Sequence, residues 1–331
     1  MSLRRRKDVA VAEAGSPFAL GTFAAGNEEF PGLVVGDRTL NLSHVPGLPG
    51  SVSSIVENWD AVLPRLEELA ADSERADWLL LRDLAVRAPL RPRQIVQAGA
   101  NYRTHVVDLA VKHAELGPER TEERVRAETA EMMDRRAAEG TPYLFLGLPG
   151  AVAGPYDDVV LPGYSEQHDW ELELAAVIGR RTFRVDRDSA AQHVAGYTIV
   201  NDLTTRDLAF RRDMPEIGTD WLRAKNAPGF LPTGPWLVPS TLVDPGELRL
   251  RLELNDAVMQ DESTADMIFD VAALVSAASQ VVELLPGDLV LTGSPAGNGL
   301  HHGRLLRSGD VVTATITGLG TQRTRCVGEE A

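Results

Sequence analysis

Carboxylates at alternate positions of an apolar run are the chemically most telling feature of this 331-residue chain. In Asp169-Trp170-Glu171-Leu172-Glu173-Leu174-Ala175-Ala176-Val177-Ile178 the pattern has period two. A strand there projects Asp169, Glu171 and Glu173 from one face and Trp170, Leu172 and Leu174 from the other. Acids two apart stand about 7 Å apart at the backbone, near enough to repel and to converge on one cation. Ala175 and Val177 continue the acidic face with apolar residues, which predicts an enclosed face whose carboxylates need a counter-charge. A solvated acidic face is the plainer alternative. A third oxygen donor, Asp202, follows the apolar run Thr198-Ile199-Val200-Asn201; its plainer reading is a turn or helix cap. Glu171, Glu173 and Asp202 together make a hard, all-oxygen set that favours Mg²⁺ or Mn²⁺ over Zn²⁺.

His105 stands three residues before Asp108, so on a helical turn the two share a face and can form a general base for water. Of 33 cations only Lys7, Lys112 and Lys225 are lysine. Where arginine is the default, a lysine marks a place for a compact ammonium or is a compositional leftover; the plainer reading serves for Lys7 and Lys112, and both stay open for Lys225. Cys326 is the single cysteine, which excludes an internal disulfide and a Cys-rich metal site and fits a reducing cytoplasm. The net charge of -15 is the wrong sign for nucleic acid or an anionic membrane. The basic start of the chain is followed by no apolar stretch, so no signal peptide or membrane span is expected.

The elements that must position these groups follow from periodicity. Short strands are predicted over 18–23 and 32–42, the latter turning at Gly36-Asp37. Amphipathic helices are predicted over 56–71, with Val62, Leu66 and Leu69 on one face, and over 76–85, with Leu79, Leu80 and Leu84. The Pro-rich stretch 88–92 divides a small N-terminal α+β domain, 1–90, from a main domain, 91–331. A helix over 117–140 begins near Pro118, carries Glu119, Glu122 and Glu123 in its first turn and ends at Gly140. Its apolar stripe of Val125, Met132, Met133 and Ala137 is thin, as for a helix lying over a cleft or a partner subunit. Strands over 171–178, 194–200, 248–254, 288–291 and 311–316, with a helix over 271–284, argue an α+β fold. Its β-rich core is a rolled sheet or mixed β-sandwich, not a doubly wound parallel sheet.

Taken in order, these segments resemble the fumarylacetoacetate hydrolase family: Pro89 through His105, Asp169-Trp170-Glu171-Leu172-Glu173, Asn201-Asp202-Leu203-Thr204-Thr205-Arg206-Asp207, Lys225, Gly234-Pro235, Met259-Gln260 with 263–269, and Leu291-Thr292-Gly293-Ser294-Pro295. The resemblance covers most of 89–328. It implies that Glu171, Glu173 and Asp202 hold Mg²⁺ or Mn²⁺, that His105 activates water, and that Asp108 stands where the family usually has Glu, with Glu115 as a substitute. It implies further that Lys225 serves in the active site, that Arg206 lies near the bound ligand and that the Thr292 hydroxyl meets it. Ala209 replaces a glutamine that contacts substrate in some members. Beside the carboxylate strand His168 either supports a ligand from behind or is solvated, His301-His302 line the site or, more plainly, form a solvent-exposed loop tip, and Cys326 is a packing residue rather than a nucleophile. The implied activity is hydrolysis of a C–C bond in a small acylpyruvate- or fumarylacetoacetate-like 1,3-dicarbonyl acid, by a homodimer. Decarboxylation, hydration or isomerisation on the same scaffold is the alternative, and a non-catalytic binding protein the third.

Overall fold

A computed structural model describes residues 17–329 except 27, 73, 74, 76 and 119. The N-terminal layer is a five-stranded sheet ordered Trp78–Leu80, Arg38–Asn41, Glu28–Val35, Ala19–Ala25, Ala85–Arg87. The expected hairpin forms: Val35 pairs with Arg38, and Gly36 at φ 57° supplies the left-handed position of its two-residue turn. Two helices, Val52–Glu57 and Trp59–Ala71, cover the sheet, and Val62, Leu66 and Leu69 are buried as their spacing predicts.

The helix expected over 76–85 does not form; its first residue lies outside the described ones. Trp78–Leu80 pairs instead with Arg38, Thr39 and Leu40, a short 3-10 turn follows at Leu81–Asp83, and Ala85–Arg87 pairs with Ala19–Ala25. The segment is too short for its leucines to decide between periods, and open sheet edges satisfy its backbone groups.

A six-stranded sheet is ordered Val238–Pro239, Val194–Asn201, Leu172–Ile178, Leu289–Leu291, Ile95–Gly99, Tyr143–Gly147. A second, five-stranded sheet is ordered Ala257–Ser263, Arg249–Leu254, Val311–Ile316, Gly320–Gly328, Val159–Leu161. Leu172, Leu174, Ala176 and Ile178 share a core with Leu250, Leu252, Leu254 and Val312 of this second sheet. Ala175 and Val177, on the opposite face, join Leu33, Leu40, Ile55 and Leu66 of the N-terminal layer. Leu172–Ile178 is therefore buried on both faces along its length, and the acid-bearing face is enclosed. Each fully buried Leu or Ile contributes roughly 1.5–3 kcal/mol, which holds this central strand rigid. The architecture is the expected α+β fold with a β-rich, sandwich-like core.

The long helix runs Glu122–Glu139, shorter than expected at its start: Thr121 is its N-cap, accepting from the Arg124 amide, and Pro118 precedes it. Val125 and Met133 are buried while Met132 is exposed. It packs beside the helix Arg103–His113 through Arg103–Asp134 and Arg126–Asp108 ion pairs at 2.9 and 2.7 Å. Cys326 is buried, and desolvation pushes its thiol up to about 12, as suits a packing residue. Among the described residues no helix is long and apolar enough to cross a membrane.

Candidate active site

Antiparallel pairing brings the carboxylates together. Leu172 pairs with Asn201 and Glu173 with Val200, so one further step of register sets Glu171 beside Asp202. The Asp202 amide donates to the Glu171 carbonyl at 2.8 Å. Glu171 thus precedes one strand, Asp202 follows its neighbour, and Glu173 lies one pleat along on the same face. The three offer carboxylate oxygens within 4.8 Å of one another.

Each carboxylate is pinned by a different donor. Glu171 Oε1 pairs with Arg206 Nη1 at 2.7 Å, Glu173 Oε2 accepts from the Gly293 amide at 2.8 Å, and Asp202 Oδ1 accepts from Gln97 Nε2 at 2.7 Å. Lys225 Nζ bridges the cluster at 2.7 Å from Glu171 Oε2, 2.6 Å from Asp202 Oδ2 and 2.8 Å from Thr204 Oγ1. Lys225 ends the short helix Trp221–Lys225, and its ammonium lies 5.7 and 6.0 Å from the ring centroids of Trp221 and Phe145. Asp169 turns away from the triad. It holds Arg206 Nε at 2.7 Å and caps the turn Gly299–His302 through the Gly299 and Leu300 amides.

The electrostatics follow from this crowding. Burial alone raises Glu171, but Lys225 and Arg206 outweigh it and hold the carboxyl down to about 2. Burial raises Asp202 to about 6 despite Lys225, and burial with the neighbouring Asp202 charge raises Glu173 well above the usual carboxylate range. Burial works against the Lys225 charge, yet Asp202, Glu171 and Glu173 together raise its pKa. Four carboxylates, Asp169, Glu171, Glu173 and Asp202, meet two cations, Lys225 and Arg206. With all four carboxylates ionised, as a bound cation would favour, the formal excess of two negative charges equals the charge of one divalent ion. With donors that are all hard oxygens, the residues present fit Mg²⁺ or Mn²⁺.

His105 lies partly buried on Arg103–His113. Desolvation lowers its pKa against the pull of Glu171, and Arg206 lowers it further, so the imidazole is neutral near pH 7. Asp108 is on the same helix, but its carboxylate is held by Arg126 Nη1 from the long helix and reaches His105 only as a nearby charge. Glu115 is exposed beyond the end of the helix. Thr292 is fully buried, and its hydroxyl donates to the Leu174 carbonyl at 3.0 Å. Arg206 Nη2 is buried without a protein partner. His168 is buried, with Thr205 Oγ1 and the Pro162 carbonyl each 3.0 Å from a ring nitrogen, while His301 and His302 are exposed. Sequence reasoning missed Gln97, whose only signal is an amide within the apolar run 95–98. It also missed Asn101, which ties the Thr292 and Phe269 carbonyls together.

The family profile described as fumarylacetoacetate (FAA) hydrolase C-terminal matches residues 94–327. The chain is 42% identical over 186 residues to a 2,4-didehydro-3-deoxy-L-rhamnonate hydrolase of Sphingomonas sp. (strain SKA58), a match spanning 55% of this chain and 64% of that enzyme. It is 33% identical over 279 residues to the mitochondrial oxaloacetate tautomerase FAHD2A of Bos taurus, spanning 83% of this chain and 79% of the relative. Among solved structures, a fumarylacetoacetate hydrolase from Exiguobacterium antarcticum superposes with a TM-score of 0.74 at 25% identity, covering 94% of this chain and 100% of that one. Segment order, carboxylate geometry and these likenesses agree: the chain belongs to the fumarylacetoacetate hydrolase family, whose members act on dicarbonyl acids as hydrolases, tautomerases and isomerases.

Proposed function

We propose that this chain is a divalent-metal-dependent hydrolase that cleaves a C–C bond in an acylpyruvate- or fumarylacetoacetate-like 1,3-dicarbonyl acid. The observation that carries this reading is the pinned triad Glu171, Glu173 and Asp202 bridged by a buried lysine, with a neutral histidine within electrostatic reach. Glu171, Glu173 and Asp202 would hold Mg²⁺ or Mn²⁺, which would supply Lewis acidity toward a bound 2-oxo acid. The protein's own groups divide the remaining work. Neutral His105 takes a proton from water at a ring nitrogen, and the hydroxide attacks the distal carbonyl carbon. Breaking the C–C bond leaves its electron pair on the pyruvate-like fragment as an enolate. The Lys225 ammonium, already fixed by Glu171, Asp202 and Thr204, stabilises that developing charge. The unpartnered Arg206 Nη2 is a ready donor to a substrate carboxylate.

One observation favours a second reading. With Asp108 committed to Arg126, the imidazole lacks a bonded carboxylate to strengthen it for water activation. A site that moves protons between carbon and oxygen needs less of its base, and the bovine relative is a tautomerase. Incubation with Mn²⁺ or Mg²⁺ and a panel of acylpyruvates and oxaloacetate, followed by product identification, separates them. Pyruvate plus a carboxylic acid supports hydrolysis. Enol–keto interconversion of oxaloacetate without cleavage supports tautomerisation.

The exposed apolar side chains of Leu222 on the lysine helix, of Leu146 on the strand Tyr143–Gly147 packed beside it, and of Phe210 support a homodimer. Sedimentation as a stable monomer at micromolar concentration would count against it.

A further inference from the structure

Gln97 is an amide in the wrong company. It sits near the middle of the buried strand Ile95–Gly99 between apolar neighbours Ile95, Val96 and Ala98, and is 2% exposed. A buried amide costs free energy unless hydrogen-bonded, yet only half of this one is: Nε2 donates to Asp202 Oδ1 at 2.7 Å, and Oε1 has no partner. Room for the amide comes from the adjacent edge strand. A Cβ at Gly147 would stand 3.1 Å from both Cδ and Oε1 of Gln97, so the amide lies against a bare backbone.

The other donors that pin the triad have an evident role in folding or charge balance. Arg206 neutralises Glu171, and the Gly293 amide belongs to a turn that must point somewhere. Gln97 brings no charge, leaves one of its own atoms unsatisfied, and touches the site only through Asp202. Its effect is to commit Oδ1 to a donor outside the cluster, so that the oxygen Asp202 turns toward Glu171 Oε2 is Oδ2, which shares Lys225 Nζ with it.

We propose that Gln97, seated on Gly147, is a positioning residue that restricts Asp202 to single-oxygen ligation and so selects a small six-coordinate cation over a larger one. This rests on the metal reading above. A carboxylate with both oxygens free chelates Ca²⁺, which accepts six to eight oxygens, more readily than Mg²⁺ or Mn²⁺, which hold to octahedral geometry. Tying one oxygen to a neutral donor removes that option and leaves positions open for water or substrate. Outer partners of metal ligands commonly influence affinity on the order of 10-fold or more.

The test is Mn²⁺ binding to the full chain, followed by loss of the free-ion electron paramagnetic resonance signal, with Ca²⁺ as competitor and no substrate present. Gln97→Leu should weaken Mn²⁺ on the order of 10-fold while Ca²⁺ weakens less or tightens, narrowing the Mn²⁺/Ca²⁺ ratio. Gly147→Ala, which keeps the amide but crowds it by a few tenths of an ångström, should move the ratio the same way by less. That variant serves as the test should Gln97→Leu not fold by circular dichroism. An unchanged ratio in a folded Gln97→Leu, or in Gly147→Ala where only that variant folds, overturns the proposal and leaves the metal reading intact. Failure of the unaltered chain to bind Mn²⁺ at all overturns the metal reading first, and this proposal with it.

Discussion

Lys225→Met removes the ammonium while keeping most of the side-chain length, which isolates the charge balance of the site. The lysine is 3% exposed and makes ion pairs of 2.7 Å with Glu171 and 2.6 Å with Asp202. Without it Glu171 retains only Arg206, and Asp202 only the neutral amide of Gln97. Removing one partner of a buried pair costs about 3–5 kcal/mol, because the other charge stays buried. For a chain of this size that is a fall in Tm on the order of 5–10 °C in the presence of chelator. A divalent cation changes the comparison. The variant's triad carries more uncompensated negative charge, so saturating Mn²⁺ should raise the Tm of Lys225→Met by more than that of the unaltered protein. Scanning calorimetry of both proteins in EDTA and in Mn²⁺ gives the four Tm values required. Equal Tm values in EDTA, or a smaller metal-induced rise in the variant, would refute the charge argument. Lys225→Arg keeps the charge but must fit a planar fork where one nitrogen now serves Glu171, Asp202 and Thr204. Overpacking of about 1–3 kcal/mol and a loss in kcat larger than the change in KM are expected.

Further outcomes follow from the same geometry. Glu171→Ala and Asp202→Ala should remain folded yet lose metal-dependent turnover, and full activity of either in chelator would remove the metal site. His105→Ala should lower kcat by roughly 10²–10⁴-fold while Mn²⁺ binding persists. Asp108→Ala should cost clearly less, because Asp108 serves the Arg126 contact between two helices; a loss equal to that of His105→Ala would show that the acid orients the imidazole after all. Asp310 gives a pH dependence remote from the triad. Burial would raise its pKa, but Asn255, the Arg307 amide and Arg304 together lower it below the ordinary 3.8. Its stabilisation is therefore full above the unfolded-state value and disappears as pH falls through the lower folded-state value. Asp310→Asn should cost about 1–3 kcal/mol at pH 7 and flatten the acid limb of the stability curve below pH 4, measured by urea unfolding. An acid limb as steep as that of the unaltered protein would exclude Asp310 as its source.

The triad was legible in the sequence because strand geometry is simple: period two fixes the face of Glu171 and Glu173, and a polar pair closing an apolar run marks the strand end that carries Asp202. Lys225 stood out because lysine is rare in this chain. Segments of weak pattern were less legible. The leucines of 76–85 fit a short helix as well as a short strand, and the decision lay with the unpaired edge of Arg38–Asn41, a partner distant in the chain.

Asp108 shows why spacing alone misassigns a partner. Its position three residues after His105 does place both on one helix, as predicted, but i,i+3 spacing permits a contact without supplying a reason for it. A carboxylate prefers a guanidinium to a neutral imidazole, since only the guanidinium adds an opposite full charge to the hydrogen bond. Arg126 is brought within 2.7 Å only when the long helix docks, so nothing within 101–108 announces the competitor. Gln97 presents the converse case. Its local sequence gives no reason for an amide, and the reason lies elsewhere in the sheet, in a carboxylate after the strand Val194–Asn201 that needs holding and a glycine on the adjacent strand that makes room. Residues that carry charge to the site leave a mark in composition and periodicity. Residues that only orient those charges are fixed by contacts between segments distant in sequence, and become readable once the strands are in register.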